Sequence, residues 1–430
     1  MRVLVLGANG FLGSAIVLAL QRAGIEVRAA VREPNKFIRR FPGLVAIKVD
    51  LADEAASRPN YWRLALDGVE AVVNAAGVLQ PRRARVAWAV HQGAPEALFA
   101  ACETAGVRRV IQISAIGVAE AETLFARSKR AGDDALMKRD LDWTVLRPTI
   151  VIGDGSYGGT SMLRAMAACP WVTPVIGDWG TQLDVIHKDD LAAGIARLLE
   201  SGAAKHAILE PASAERLTLS EALVAYRGWL GLSPRPLLAM PKWLVRGMAR
   251  IGDVARLNPL TTTAVAQFEA RLTGDASGFE AATGVKARSL RTILSDRAAE
   301  SQDLWHARLF LLRPAVRLVL AALWLVSGLL GLFAAPERFL GILEPVIANQ
   351  AVAIGLARGM GLIDLAIAAA LFVGWRLGTL ALVQLVLVLG YTVGLSILAP
   401  GSWLDPFGGL LKNLPIIALV LVHRVLEEER

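Results

Sequence analysis

This 430-residue sequence predicts an α/β domain built on a doubly wound parallel sheet, then a small helical lobe, then a four-helix membrane bundle. Two observations carry the prediction. Near the start, a short β-branched run enters a glycine-punctuated turn and then a helical pattern, and similar strand–turn–helix units recur over the first two hundred residues. In the last quarter the chain changes solvent. Residues 318–336 (LVLAALWLVSGLLGLFAAP) carry no charge, and residues 377–404 no Asp, Glu, Lys, Arg or His. Residues 351–373 hold only Arg358 and Asp364, and residues 406–426 hold Lys412 and His423 before Arg424. About 20 apolar helical residues cross a hydrocarbon core of roughly 30 Å. The expected divisions are residues 1–205, 206–305 and 306–430.

Element by element, Arg2–Leu6 (RVLVL) reads as a buried parallel strand that runs directly into Gly7-Ala8-Asn9-Gly10-Phe11-Leu12-Gly13 and a helix from Ser14. A strand, a glycine turn and a helix start form the entrance that holds a pyrophosphate against helix N-terminal amides. Gly7 permits the tight turn, Gly10 lets the backbone approach the phosphates, and Gly13 lets the helix pack on the sheet. Residues 27–31 read as the second strand and Asp50-Leu51 close the third. The fourth ends in Asn74-Ala75-Ala76-Gly77, the fifth (VIQIS) in Ser114, and the sixth (TVLRP) in Pro148. Residues 185–190 (VIHKDD) read as a late strand and the acidic start of a helix.

With its G-x-x-G-x-x-G spacing and this order of strand ends, the chain resembles extended and atypical short-chain dehydrogenases/reductases over about residues 1–300, and so implies a Rossmann-type fold. The resemblance implies that Gly7, Asn9, Gly10, Phe11, Leu12 and Gly13 cradle the pyrophosphate. It implies that Asp50 and Leu51 meet the adenine, and that Ala75, Ala76, Gly77 and Pro148 border the cofactor. It also implies a Ser after the fifth strand and Tyr-x-x-x-Lys on the next helix. Ser114 and Lys129 fill the first and last of these roles. Phe125 stands in place of the tyrosine, and phenylalanine transfers no proton. Tyr157, in the glycine-rich stretch 153–159, is the nearby hydroxyl, read as a ring packed on the cofactor rim. The pattern is also similar to the Rossmann-type accessory subunit of respiratory complex I and to NmrA-like proteins, which bind or sense the cofactor.

The end of the second strand bears on cofactor choice. An NAD site wants an acidic residue there to accept from the ribose 2′-hydroxyl. This chain has Val31, then Arg32 and, one turn on, Lys36. A guanidinium suits a 2′-phosphate, so NADP(H) is expected over NAD(H); the alternative for the same residues is a solvated basic loop.

The lobe, about residues 205–300, carries an amphipathic stretch at 217–230 and a helix opened by Pro241. There Lys242, Arg246 and Arg250 recur every four residues, which suits either a helix on the inner leaflet or an ordinary surface helix. The four spans resemble the DoxX-like family, which joins such bundles to short-chain-dehydrogenase domains in bacterial proteins. That resemblance implies a multi-pass protein of the bacterial inner membrane. Arg308, Arg313 and Arg317 precede the first span, Arg376 lies between the second and third, and Arg424 closes the fourth. By the positive-inside rule both termini and the Rossmann domain are cytoplasmic. Arg358 and Asp364 are expected to pair inside the bundle.

The net charge of +8 is attributed to membrane-proximal residues facing anionic lipid, and no nucleic-acid module is present. Cys102 and Cys169 support neither a disulfide framework nor a zinc site. His187 and His306 stand apart from other ligand-type residues, so no metal is expected. Residues 1–20 are apolar but carry only Arg2 as a basic flank, and read as strand, turn and helix, not a signal peptide.

The expected function is a membrane-anchored NAD(P)H-binding protein with weak or no standard dehydrogenase activity, serving a structural, sensing or assembly role beside a membrane-complex partner. Two alternatives compete. One is an NADPH-dependent oxidoreductase acting on a quinone or another lipid-soluble molecule. The other is a nucleotide-sugar epimerase-like enzyme, which the missing tyrosine weakens most.

Overall fold

The computed structural model describes the whole chain except residues 82, 156, 177–179, 257–259, 344–346, 406–408 and 429–430, and the side chains at 339 and 342. The start of the fourth expected span and Glu344 lie outside the described residues. The chain divides into two units. One comprises Met1–Ala249 with Pro259–Leu304, the other Arg250–Asn258 with Trp305–Arg430.

The first unit opens β1 (Arg2–Leu6), α1 (Phe11–Arg22), β2 (Glu26–Val31), α2 (Pro34–Arg40), β3 (Val45–Lys48) and β4 (Ala71–Asn74). A helical run follows as α3 (Ala84–Trp88), a π-turn (Ala89–Gly93) and α4 (Ala94–Ala105), then β5 (Arg109–Ile113), α5 (Leu124–Met137) and β6 (Asp142–Leu146). The chain continues through β7 (Ile150–Ile152), α6 (Gly159–Ala167), β8 (Thr173–Ile176), β9 (Gln182–Leu183), β10 (Val185–His187), α7 (Lys188–Ser201) and β11 (Ala207–Leu209).

Seven parallel strands lie in the order β11-β6-β5-β4-β1-β2-β3. Both faces are covered, as a parallel sheet requires. Side chains alternate across it. Val3, Val5, Val27, Val73 and Ile111 pack with Ile16 and Leu20 of α1 and Ile195 and Leu199 of α7. Leu4, Leu6, Val72, Val110 and Val145 pack with Leu98, Phe99 and Cys102 of α4 and with Trp62. Strand order reverses between β1 and β4, and ligands of such sheets bind in the crevice at that switch point.

The late strand expected at residues 185–190 runs Val185–His187 and pairs with β7 in a separate two-stranded ladder, and Asp189 and Asp190 form the acidic first turn of α7.

The lobe adds β12 (Leu217–Thr218), α8 (Leu219–Trp229), β13 (Leu237–Met240), α9 (Lys242–Ala255), α10 (Thr262–Glu269), α11 (Ala276–Thr283) and α12 (Leu290–Ser295). A capping box between Thr218 and Glu221 starts α8.

The second unit holds most of α13 (Ser301–Phe333), then α14 (Glu337–Leu343), α15 (Gln350–Phe372), α16 (Leu377–Leu398) and α17 (Asn413–Leu426). Three of these helices, α13, α15 and α16, are long and apolar enough to cross a membrane. Among the described residues the fourth expected span forms the 3-10 turn Leu410–Lys412 and then a helix of 14 residues, the helix alone rising about 21 Å against a core of roughly 30 Å. Its direction nevertheless fits the expected bundle. Arg313 lies 3.0 Å from Glu427, and a Cβ added at Gly374 would lie 3.2 Å from Arg317. The beginning of the first long helix, the α15–α16 turn and the end of α17 therefore share one end of the bundle.

The expected Arg358–Asp364 pair does not form. Six residues span about 1.7 turns, so the two side chains diverge by about 120° around the helix. Arg358 is exposed, whereas buried Asp364 accepts from Ser327 Oγ at 2.7 Å and from Tyr391 OH at 3.3 Å. Beside this three-helix tie, α13 and α15 meet on glycine. A Cβ at Gly361 would stand 2.9 Å from the Gly328 carbonyl oxygen, the small-residue contact that lets membrane helices approach closely.

Gly361→Val should therefore force α15 off α13. Overpacking of this kind costs about 1–3 kcal/mol, so a lowered melting midpoint of the detergent-solubilised protein is expected. Gly355→Val, at a glycine with nothing near its Cβ position, is the control and should melt close to the unsubstituted chain.

Candidate functional site

The crevice at the β1/β4 switch point is built from glycine geometry. Gly7 adopts φ +70°, a conformation that side chains disfavour. Its carbonyl accepts from Gly10 N at 2.9 Å. A Cβ at Gly13 would stand 2.0 Å from that same carbonyl oxygen, and a Cβ at Gly7 would meet the Ala76 backbone at 3.0 Å. The turn, the first turn of α1 and the end of β4 are thus drawn together with no room for side chains. This leaves the amides at Phe11, Leu12 and Gly13 at a helix start suited to phosphate.

Around this turn, Phe11 stacks on Tyr157 with ring centroids 5.3 Å apart. Tyr157 is 58 % exposed, the rim position expected of it. Asp50 follows β3 and caps the next turn through Ala52 N at 3.0 Å. Arg32 is exposed just beyond β2, and Lys36 pairs with Glu33 at 2.7 Å on the surface of α2. Sequence reasoning passed over Arg40, one turn past Lys36, which donates to Asn9 Oδ1 at 3.3 Å across the glycine turn.

At the other end of the crevice, α5 carries Lys129 into the sheet edge. Its Nζ donates to the carbonyls of Ile113 (2.8 Å) and Ala76 (3.2 Å), and would lie 3.2 Å from a Cβ at Gly77. Burial pushes its ammonium down to about 8, the direction desolvation gives a cation. One turn on, Asp133 is fully buried. Its Oδ2 accepts from Ser114 Oγ at 2.7 Å and from Arg147 Nη2 at 3.1 Å, while Oδ1 has no hydrogen-bond partner. Burial raises the Asp133 carboxyl, opposed by Ser114, Arg147 and Lys129. Sequence reasoning did not single out Asp133 or Arg147. The i+4 spacing from Lys129 placed Asp133 on the same helix face and could have found it.

Phe125 is partly buried, its ring edge-on to His91 at 5.5 Å. His91 Nε2 accepts from Val78 N at 3.0 Å, so Nδ1 carries the proton and donates to Ser128 Oγ at 2.8 Å. Ser128 in turn donates to the Phe125 carbonyl at 3.1 Å. Burial and the Lys129 charge push His91 down to about 2, so it stays neutral and holds α5 against the β4 loop. Pro148 follows β6, its carbonyl accepting from Ile116 N at 3.0 Å.

The lobe holds a cavity of about 400 Å³ lined by Ile176, Val245, Val265 and Phe268 with Lys242 and Glu269 among its polar groups. Its α10 wall reaches the α5 start, where Gln267 donates to Thr123 Oγ1 at 2.8 Å. A Cβ at Gly117, three residues beyond Ser114, would stand 2.8 Å from the Arg271 carbonyl oxygen.

His187 is not isolated, contrary to expectation. Asp154, His187 and Asp189 bring ligand-type atoms within 4.8 Å of one another. Guanidinium groups already answer them. Arg288 Nη2 lies 3.0 Å from His187 Nδ1, and Arg297 Nε lies 3.9 Å from Asp154. A cation there would face two fixed positive charges, so these residues do not fit a metal ion.

A glycine turn on α1, a switch point above it and a buried Lys beside the β4 end define a Rossmann domain with a dinucleotide-type crevice. Comparison agrees: residues 7–201 match the NAD(P)H-binding family, and residues 321–421 the DoxX-like family. The chain joins an NAD(P)H-binding Rossmann domain to a DoxX-like membrane domain. Among curated relatives, the ceramide reductase of Caulobacter vibrioides is 26 % identical over 239 residues, 56 % of this chain and 73 % of that protein. Sterol demethylase protein B of Methylococcus capsulatus is 26 % identical over 335 residues, 70 % of this chain and 98 % of that protein. The solved structure of MoeE5 with UDP-glucose and NAD shares the fold. Its TM-score is 0.52 at 21 % identity, covering 72 % of this chain and all of that one. The UDP-glucose 4-epimerase of Thermus thermophilus with NAD is alike, at 0.52, 20 %, 69 % and 98 %.

The shifted Lys129 has a measurable consequence. Between its folded value of about 8 and its ordinary 10.5, the unfolded chain keeps a proton that the folded chain has shed. Stability should therefore rise with pH across that window, by an amount on the order of 3 kcal/mol. Lys129→Met should remove this rise, read as a flatter curve of melting midpoint against pH from 7.5 to 10.

Proposed function

We propose that this protein is a membrane-anchored NAD(P)H-dependent reductase of a lipid-soluble carbonyl or quinone, working without the usual tyrosine. The observation that carries the reading is the buried Ser114–Asp133–Arg147 arrangement beside Lys129. Burying a carboxylate and an ammonium costs free energy, which a scaffold that merely bound the cofactor would avoid. The names of the two relatives, a reductase acting on ceramide and a sterol-modifying protein, support a lipid-soluble substrate.

The crevice fits the dinucleotide. Its glycines leave no volume for side chains where the pyrophosphate lies, and Gly77 leaves the Lys129 ammonium open to a ribose. When bound, the reduced nicotinamide supplies a hydride. The chain's own residues do the rest. Lys129 would hold the ribose hydroxyls of the cofactor. Ser114 Oγ gives its proton to the oxygen of the reduced carbonyl. The proton that replaces it on Ser114 comes from water; Asp133, held by Arg147, accepts from the Ser114 hydroxyl and orients it.

NADP(H) is favoured over NAD(H). Arg32 and Arg40 place guanidinium groups beyond β2 and across the glycine turn, and Glu33, the one acidic residue there, is held by Lys36. We place the protein in the bacterial inner membrane with the Rossmann domain and both termini cytoplasmic, on the distribution of basic residues. A second reading, cofactor binding in a sensing or assembly role, is favoured by one observation: Phe125 occupies the donor's place and His91 has both ring nitrogens engaged.

Two measurements test this reading. Arg32→Asp should weaken NADPH binding far more than NADH binding in a titration of the purified protein, and equal losses would show that Arg32 does not choose the cofactor. Ser114→Ala and Asp133→Asn should each lower NADPH-dependent reduction of a short-chain quinone or long-chain ketone by about 10²–10⁴-fold while cofactor still binds. Tight binding with no turnover of either substrate would establish the sensing reading instead.

A further inference from the structure

Helix α9 divides its surface in three. Successive residues advance about 100° around a helix. On that wheel Val245, Ala249 and Gly252 form a buried arc. Lys242, Arg246, Arg250 and Asp253 form the adjoining charged arc, where Arg246 pairs with Glu269 at 3.2 Å. The remaining arc, roughly 140° wide, carries Trp243, Leu244, Gly247, Met248, Ile251 and Val254, with Ala255 buried at its C-terminal end. Trp243 is 75 % exposed, Ile251 55 % and Val254 61 %. An ordinary surface helix turns its apolar stripe to the core and its polar side outward. This helix has a buried stripe and a second, wider apolar stripe that faces out.

The C-terminal end of the same helix says what covers that stripe. Residues Arg250–Asn258 belong to the unit of the apolar helices. Arg317, at the start of the long apolar stretch of α13, donates to the Ala255 carbonyl. A Cβ at Gly374, in the α15–α16 turn, would lie 3.8 Å from Arg256 Cβ. The helix therefore terminates at the end of the bundle where Arg313 meets Glu427 and where the uncharged stretches of α13 and α16 begin.

We propose that α9 lies in the plane of the bilayer surface. The arc from Trp243 to Val254 enters the boundary between headgroups and acyl chains, and Lys242 and Arg250 face anionic headgroups on its flank. A tryptophan, aliphatic side chains on one side and basic residues beside them is the composition of interfacial helices. Each basic residue near an anionic surface adds attraction that falls away within a Debye length.

Site-directed spin labelling of the full chain in nanodiscs containing about 30 % phosphatidylglycerol, enough to give an anionic surface, tests the proposal. In a Cys102→Ala, Cys169→Ser background, nitroxides are placed at Met248→Cys and Ile251→Cys on the apolar arc, and at Lys242→Cys and Asp253→Cys on the charged arc. Cofactor retention confirms the fold of each. Apolar-arc labels are expected to collide more with oxygen than with a water-soluble nickel chelate, and charged-arc labels the reverse. Nickel-dominated collisions on both arcs would overturn the proposal. So would exclusion of both reagents from the apolar arc, which marks a second copy or a protein partner in place of lipid. Unchanged immersion in wholly zwitterionic discs would overturn the role given to anionic headgroups.

Discussion

The approach of α1 to the end of β1 is the constraint on which the nucleotide-binding half depends. With a would-be Cβ at Gly13 only 2.0 Å from the Gly7 carbonyl oxygen, the helix can close on the sheet only because that atom is missing. The closure sets where the α1 amides point, how near β4 comes and therefore where Ala76 lies. Ala76 supplies one of the two carbonyls that hold Lys129. A methyl group at either glycine would propagate from the turn to the ammonium at the opposite end of the crevice.

Much of this was legible along the chain because parallel strands and glycine turns are written locally. The βαβ entrance, the strand ends at Asn74, Ser114 and Pro148, and the apolar helices appear as runs and spacings a few residues long. The site's polar centre is different. Ser114 comes from the end of β5, Asp133 from α5 and Arg147 from the end of β6, and only the parallel register of those strands brings them together. His187 looked solitary for the same reason, since Arg288, its partner, lies a hundred and one residues away. The Arg358–Asp364 expectation failed on simple helical geometry: a spacing of six places side chains on different faces, and hydroxyls on neighbouring helices satisfied the acid instead.

Charge is handled differently in the two halves. In the Rossmann domain, Lys129 and Asp133 are buried one helical turn apart, yet their nearest partners are backbone carbonyls, a serine and an arginine. Each is thereby left shifted from its ordinary protonation behaviour, as groups that transfer or hold protons often are. In the bundle, Asp364 is met by neutral donors from two other helices, so a single side chain joins α13, α15 and α16. The first arrangement leaves two buried charges shifted; the second spends polarity on packing.

The short α17 has a consequence for the lipid around it. Among the described residues it has 14, preceded by the 3-10 turn Leu410–Lys412, beside helices of 23 and 22 residues; an apolar belt that short would ask the lipids on its flank to thin or tilt, at fractions of a kcal/mol for each ångström of mismatch. Membranes of different thickness would then hold the same protein with different ease. The fit is best where acyl chains are short or disordered, and poorest in a thick, ordered bilayer.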